Sequence, residues 1–204
     1  MTPLYTIASR HRIAITRILV GAAFLLVIFS SPAWEPHPSL DAVMDLAAFV
    51  LVLVATFGRL WALSHIWSRK TRELVTHGPY SMTRNPLYLF SFLGALGIGI
   101  VSDRVVLVAL VIMGFALYYP FVIKAEEVLL HRVHGEAFLV YKARVPRLLP
   151  RFSAYAEPPD YVVNSRAFRR SFLRVMWFPL LYVILLMAEN LRETGVIPVL
   201  FTIP

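Results

Sequence analysis

Two stretches hold the side chains that could do chemistry. Val75 to Tyr88, V-T-H-G-P-Y-S-M-T-R-N-P-L-Y, sets His77, Gly78, Tyr80, Arg84, Asn85 and Tyr88 in a polar, turn-rich segment directly before an apolar run. Gly followed by Pro is turn chemistry, and Asn85-Pro86 pushes Asn85 out of the helical region so that Pro86 becomes a natural first residue of a helix. Irregular backbone at the rim of a bilayer survives where it lines a wet cavity or a ligand, so this segment reads as one wall of a pocket. The second stretch runs from Glu126 to Pro150 and carries the twin acids Glu126 and Glu127, then His131, His134, Tyr141 and Arg144. Carboxylates can hold a cation or manage a proton, and a guanidinium can orient an anion. His131 and His134 lie one helical turn apart near Glu127, but no third ligand stands at fixed spacing, so they are taken as interfacial histidines and no metal site is expected.

The elements that must position these residues are membrane helices. With 58% hydrophobic and 16% charged residues and a mean hydropathy of +0.68, the chain of 204 residues lies outside the range of soluble domains. It contains no cysteine, which excludes disulfides, thiolate nucleophiles and zinc–thiolate or iron–sulfur centres. The expected class is all-α: a polytopic transmembrane protein with about five membrane helices. The first runs from about Ile13 to Phe29, a retained span with Arg17 near its start. A proline-rich loop from Ser31 to Leu40 carries Trp34 as an interfacial anchor. Helix follows over Ala42–Leu63, Pro86–Val101 and Val105–Ile123. A separate helix over Ala125–Ala143 bears its charges on one side, and a last span over Phe168–Ala188, with Pro179 inside it, either crosses or re-enters. Glu157-Pro158-Pro159-Asp160 is a linker.

Only Ser102-Asp103-Arg104 separates the third and fourth spans, so these must be antiparallel neighbours. Arg84 just precedes one and Glu126 just follows the other, and the hairpin returns both to one membrane face. The twin acids and the guanidinium should therefore meet across a single cleft. Eighteen of the twenty Lys and Arg residues fall on that same side, leaving Arg104 and Arg192. The positive-inside rule then places the N-terminus and the pocket in the cytoplasm and the C-terminus outside. This topology, with attraction to anionic lipid, accounts for the net charge of +8 without nucleic acid, for which no stacking platform is present. Arg59, at the inner end of its span, is about 21 Å from Asp45 and must find another partner or a surface.

The patterns G-P-Y-x-x-x-R-N-P-x-Y at Gly78 to Tyr88 and E-E-x-x-L-x-x-x-H-G-x-x-F-x-x-Y-x-x-R-V-P-x-x-L-P from Glu126 to Pro150, in this order with a hairpin between them, closely resemble the isoprenylcysteine carboxyl methyltransferase family. These are integral membrane methyltransferases related to the phospholipid N-methyltransferases. The resemblance covers about Arg72 to Pro150. It implies S-adenosylmethionine bound on the cytosolic side, in a pocket of the C-terminal half, and a lipid or prenylated small-molecule substrate arriving through the membrane. Carried over position by position, Val75, His77, Gly78, Tyr80, Arg84, Asn85 and Tyr88 would hold the cofactor, with Glu126 and Glu127 closing the opposite wall. Arg144 and Tyr141 would bind the substrate, and Arg144, Glu127 and Arg84 would act in catalysis. Asn85 stands where the family often has His, and Phe90 where it often has Gly. The implied division is residues 1–63 as N-terminal membrane helices, 64–150 as a methyltransferase core, and 151–204 as linker and last helix. The rival readings are a membrane reductase of the sterol reductase type using NADPH, and a non-catalytic scaffold or transporter. The methyl acceptor and the oligomeric state are left open.

Overall fold

The computed structural model describes residues 21, 24, 25, 27–33, 37–66, 73–157, 163 and 165–203. Helix α1 (Pro38–Ile66) opens on proline, with Asp41 in its first turn, where the helix dipole favours an acid. Helix α2 (Pro79–Met82) is a single turn, and α3 (Pro86–Ile100) again starts on proline. After the turn through Asp103 come α4 (Val105–His134) and, past Gly135, α5 (Glu136–Arg144). Helices α6 (Ser165–Val175) and α7 (Trp177–Glu193) follow, and the described residues among 21–28, ahead of α1, are also helical.

Small residues set how closely these helices approach. A Cβ on Gly97 would stand 2.8 Å from the Ala48 carbonyl, one on Gly94 2.9 Å from Ala55 Cβ, and one on Gly58 2.2 Å from the Phe90 ring. Helices α1 and α3 therefore pack nearly backbone to backbone, the use membrane helices make of small residues. Val52, Val101, Tyr182 and Leu185 form the buried apolar cluster beside that seam. Helix α4 is held by α3, while Leu110, Met113, Leu117 and Phe121 stay exposed, as a lipid-facing surface requires. Among the described residues, three stretches are long and apolar enough to cross a membrane: α1, α4 and α6 with α7; α3 is apolar but shorter. The protein is an all-α polytopic membrane protein.

Several boundaries differ from the expected ones. Helix does not break at Lys124; α4 carries Pro120 within it and runs on to His134, where Gly135 at φ +53° ends it. The last span is two helices that meet at Met176, not one. The loop expected from Ser31 to Leu40 contains β1 (Ser30–Pro32), which pairs in parallel with β2 (Phe201–Ile203), Ser30 opposite Phe201. α1 also starts earlier than Ala42, because Pro38 serves as its first residue. Most of the span expected over Ile13–Phe29, and Arg17, Trp34 and the linker's Pro158-Pro159-Asp160, lie outside the described residues.

Candidate active site

The hairpin of α3 and α4 returns the chain to the end from which it left, and there Arg84 faces the twin acids. Arg84 Nη2 lies 3.3 Å from Glu127 Oε1, with both side chains only about a tenth exposed. Lys142 Nζ reaches Glu127 Oε2 at 3.1 Å and Arg147 Nε approaches Oε1 at 3.8 Å. Three cations thus surround one carboxylate. Glu126 makes a different contact, accepting a hydrogen bond from the Tyr88 phenol at 2.9 Å. A cavity of about 160 Å³ opens beside the cluster, lined by Lys124, Glu127, His131, Phe138 and Lys142.

The cluster is incompletely bonded. Glu127 Oε1 is buried with no hydrogen bond of acceptable geometry despite its cationic neighbours, and Arg84 Nε is buried without an acceptor. Arg84 is held in place by Nη1, which donates to the Lys142 carbonyl at 3.0 Å, and by its backbone N–H, which donates to Pro146 O at 2.9 Å. Unsatisfied buried polar groups are rare in native proteins, and two fall within this one ion cluster.

The other expected residues form a clasp around the returning chain. Asn85 Nδ2 donates to Arg147 O at 2.8 Å, Thr83 Oγ1 to Leu148 O at 3.0 Å, and the Tyr141 phenol to Tyr80 O at 2.8 Å. The N–H of Gly78 donates to Ala156 O at 2.8 Å, so it is already engaged within the chain. Gly78 adopts φ +60°, and a Cβ there would lie 2.3 Å from His65 Nε2. Val75 is buried against Ala62 and Tyr80, and the His77 ring packs 5.6 Å from that of His65. His65 in turn meets Glu157 at 3.3 Å. The Tyr155 phenol donates to Glu157, and this bond, ahead of the His65 contact, holds its carboxyl below the usual range. Burial drives the Tyr80 phenol far above its ordinary pKa, with Tyr141 and Glu126 adding to the rise and Arg59 opposing it. Burial likewise raises Tyr141, against the pull of Arg84.

The structure brings Arg84 to Glu127 and Tyr88 to Glu126, and ties Asn85 and Tyr141 to backbone carbonyls of Arg147 and Tyr80. Arg144 stands apart, exposed, with no ion pair or side-chain hydrogen bond among the described residues. Lys142 and Arg147 are the cations that sequence reasoning missed, and the helical period contained the signal for the first. Phe138 and Tyr141 face inward on α5; Lys142 follows Phe138 by one turn, whereas Arg144 is about 200° further round. Among the described residues no group of three His, Asp or Glu side chains has an arrangement that could hold a metal.

A polytopic helical membrane protein with an under-bonded ion cluster at one end is the class that fold and site define. More narrowly, residues 43–137 match the phospholipid methyltransferase family, and the chain belongs to that family of integral membrane proteins. It is similar along its whole length to the nickel-cobalt-cadmium resistance protein NccN of Alcaligenes xylosoxydans xylosoxydans, 34% identical over 203 residues, covering 100% of this chain and 94% of the relative. The cobalt-zinc-cadmium resistance protein CzcN of Cupriavidus metallidurans is 33% identical over 195 residues, covering 96% and 89%. No solved structure matches the chain.

Proposed function

We propose that this chain transfers a methyl group from S-adenosylmethionine to a lipophilic acceptor, at a site on the basic end of the helices that faces the cytoplasm. The observation that carries the reading is the pair of buried, under-bonded atoms of opposite sign, Glu127 Oε1 and Arg84 Nε, within one ion cluster. An amino-acid zwitterion offers the complementary ammonium and carboxylate. The family match supports the class of reaction.

In this reading Glu127 takes the cofactor's amino group and Arg84 its carboxylate, while Tyr88 and His77 with the Val75–Gly78 turn border the rest of the molecule. The cavity of about 160 Å³ is below the roughly 300–1,000 Å³ of ligand pockets. Lys142 and Arg147, whose side chains are 46% and 42% exposed, are the surface arms that withdraw to enlarge it. When bound, S-adenosylmethionine supplies an electrophilic methyl on a sulfonium. The residues of the chain hold that group out of water, where electrostatic interactions strengthen. An amine acceptor would need Glu126 or Glu127 to manage its proton; a carboxylate acceptor would need no base. Arg144, exposed at the end of α5, is placed to meet an acceptor only at the surface of the site.

The test is incubation of the detergent-purified protein with methyl-tritiated S-adenosylmethionine and a membrane lipid extract, counting label in the organic phase. Transfer should occur and should fall at least tenfold in Glu127→Gln and Arg84→Met. Tight binding of reduced nicotinamide nucleotide without methyl transfer would instead favour the reductase reading, and binding of neither a scaffold. The relatives' names add a cellular readout. A strain lacking this chain should lose tolerance to nickel, cobalt or cadmium, and the Glu127→Gln form should fail to restore it.

A further inference from the structure

Helix α6 carries charge of one sign. Its sequence, S-R-A-F-R-R-S-F-L-R-V, contains four arginines and no acid. Ala167, Ser171 and Val175, each a helical turn from the next, form its buried stripe, and the helix packs on α1. Arg166, Arg169 and Arg170 lie off that stripe, are exposed, and make no ion pair or side-chain hydrogen bond among the described residues. Arg166 and Arg170 stand at i and i+4, where like charges repel. An anion between them removes that repulsion.

The junction with α7 supplies a second, independent observation. The helix is interrupted at Met176, since Pro179 has no N–H to give the Val175 carbonyl four residues earlier. A groove of about 510 Å³ opens at this break, lined by Leu173, Met176, Trp177, Pro179, Leu180 and Val183. That volume falls in the range of ligand pockets, and none of the lining side chains is charged. Leu173, Met176, Leu180 and Val183 recur three and four residues apart, so the groove follows one face across the break. Arg169 and Arg170 precede Leu173 by four and three residues and share its face, which sets two guanidiniums at the α6 lip of an apolar channel. The chain has no charged residue from Val175 to Ala188, so the bilayer interior begins at the groove and the arginines stand among the headgroups. Trp177, 68% exposed, sits at the level that interfacial tryptophans take.

We propose that the elbow between α6 and α7 holds a phospholipid whose headgroup carries net negative charge, with its phosphate on Arg169 and Arg170, Arg166 one turn further on, and an acyl chain in the groove. The planar fork of arginine matches phosphate oxygens. A zwitterionic headgroup offers the same phosphate but adds an ammonium, which the guanidiniums repel. Free phosphate would leave the apolar groove unfilled, so the occupant is a lipid. The site is separate from the methyl-donor cluster: α6 and α7 pack on α1 and α3, whereas Glu127 and Lys142 belong to α4 and α5. The bound lipid is therefore not the methyl acceptor, and the site does not depend on the methyl-transfer reading.

The experiment reconstitutes the full chain in phosphatidylcholine vesicles and follows tryptophan fluorescence as phosphatidylglycerol or phosphatidylcholine with dibrominated acyl chains is added in rising mole fraction. Bromine quenches an indole that touches the chain, and the part of the quenching lost in Trp177→Phe reports on the groove. Brominated phosphatidylglycerol should half-quench that part at a mole fraction at least about threefold lower than brominated phosphatidylcholine. Arg169→Gln combined with Arg170→Gln should bring the two lipids together, and Arg132→Gln, which removes an exposed cation from α4, should leave the preference unchanged. Equal quenching by the two lipids in the wild type overturns the site, as does quenching that Trp177→Phe leaves unaltered or a preference that survives the double variant. An equal fall in Arg132→Gln shows general attraction to the basic surface and overturns it too. Loss of the preference on adding inorganic phosphate at constant ionic strength overturns the lipid as occupant.

Discussion

Arg104, at the end of the helices away from the basic cluster, is 1% exposed. Its Nε donates to Ser30 Oγ at 2.8 Å, Nη2 to Val27 O at 3.0 Å and also to Ser30 O, and Nη1 to Ser102 O. Arg192 adds bonds to Val27 O and Ile28 O at 2.8 and 3.3 Å. Val27 O and Ile28 O belong to the helical stretch just before β1 and Ser30 is the first residue of β1, so the two arginines satisfy the last carbonyls of that stretch and anchor the strand that pairs with β2. At the basic end Arg84 is an arginine about a tenth exposed with an acid beside it, yet Nε has no acceptor and the facing carboxylate oxygen has no directed bond. The guanidinium of Arg104 has all three nitrogens engaged, whereas the Arg84–Glu127 pair does not, and it is on that pair that the proposed methyl-donor site rests.

The sharpest way to break the comparison is Arg104→Met. Several buried carbonyls would lose donors, at about 1–3 kcal/mol each, so thermal unfolding in detergent should shift down by more than for any basic-end variant while S-adenosylmethionine affinity is unchanged. Gly78→Ala tests the clasp. Positive φ costs a non-glycine residue about 1–3 kcal/mol, and the added methyl meets His65, so both melting temperature and cofactor affinity should fall.

Asp103 sharpens the contrast from the far side. Burial raises its carboxyl to about 6, well above the ordinary carboxylate range, against the opposing hydrogen bond with Glu189. An acid whose folded pKa is raised contributes stability that is complete below about pH 4 and lost as pH rises through about 6. Asp103→Asn removes this dependence and should stabilise the protein above pH 6 by on the order of 1 kcal/mol. Asparagine also tolerates the φ of +56° at this position. Tyr88→Phe is the smallest perturbation, losing one bond to Glu126 and about 1 kcal/mol, visible as a slight drop in melting temperature.

What could be read from the sequence follows the range of the forces involved. The three-residue turn at Ser102–Arg104 forces a hairpin, and a hairpin forces Arg84 and Glu127 to one end; that inference needed only connectivity. Helix breaks were harder. Lys124 reads as a boundary because charge follows an apolar run, yet a helix can carry its charged part beyond the bilayer without bending, and the real stop is the left-handed Gly135. The β1–β2 pair left no trace, since three-residue strands at opposite ends of the chain have no periodicity to detect. Arg59 was legible as a costly charge but not in its partners, Leu87 O and Ser91 Oγ, which belong to the neighbouring helix. Arg144 drew attention through its Val-Pro context, whereas Lys142 and Arg147 are the cations that the fold turns toward Glu127.

The most direct measurement is isothermal titration of S-adenosylmethionine into the detergent-purified chain, run in parallel on wild type, Glu127→Gln and Arg104→Met, each checked for folding. Saturable binding that drops at least tenfold in Glu127→Gln and persists in whatever folded fraction of Arg104→Met remains is the expected result. Equal affinity in wild type and folded Glu127→Gln, or no binding by the wild type, would contradict the assignment of the under-bonded cluster as the methyl-donor site.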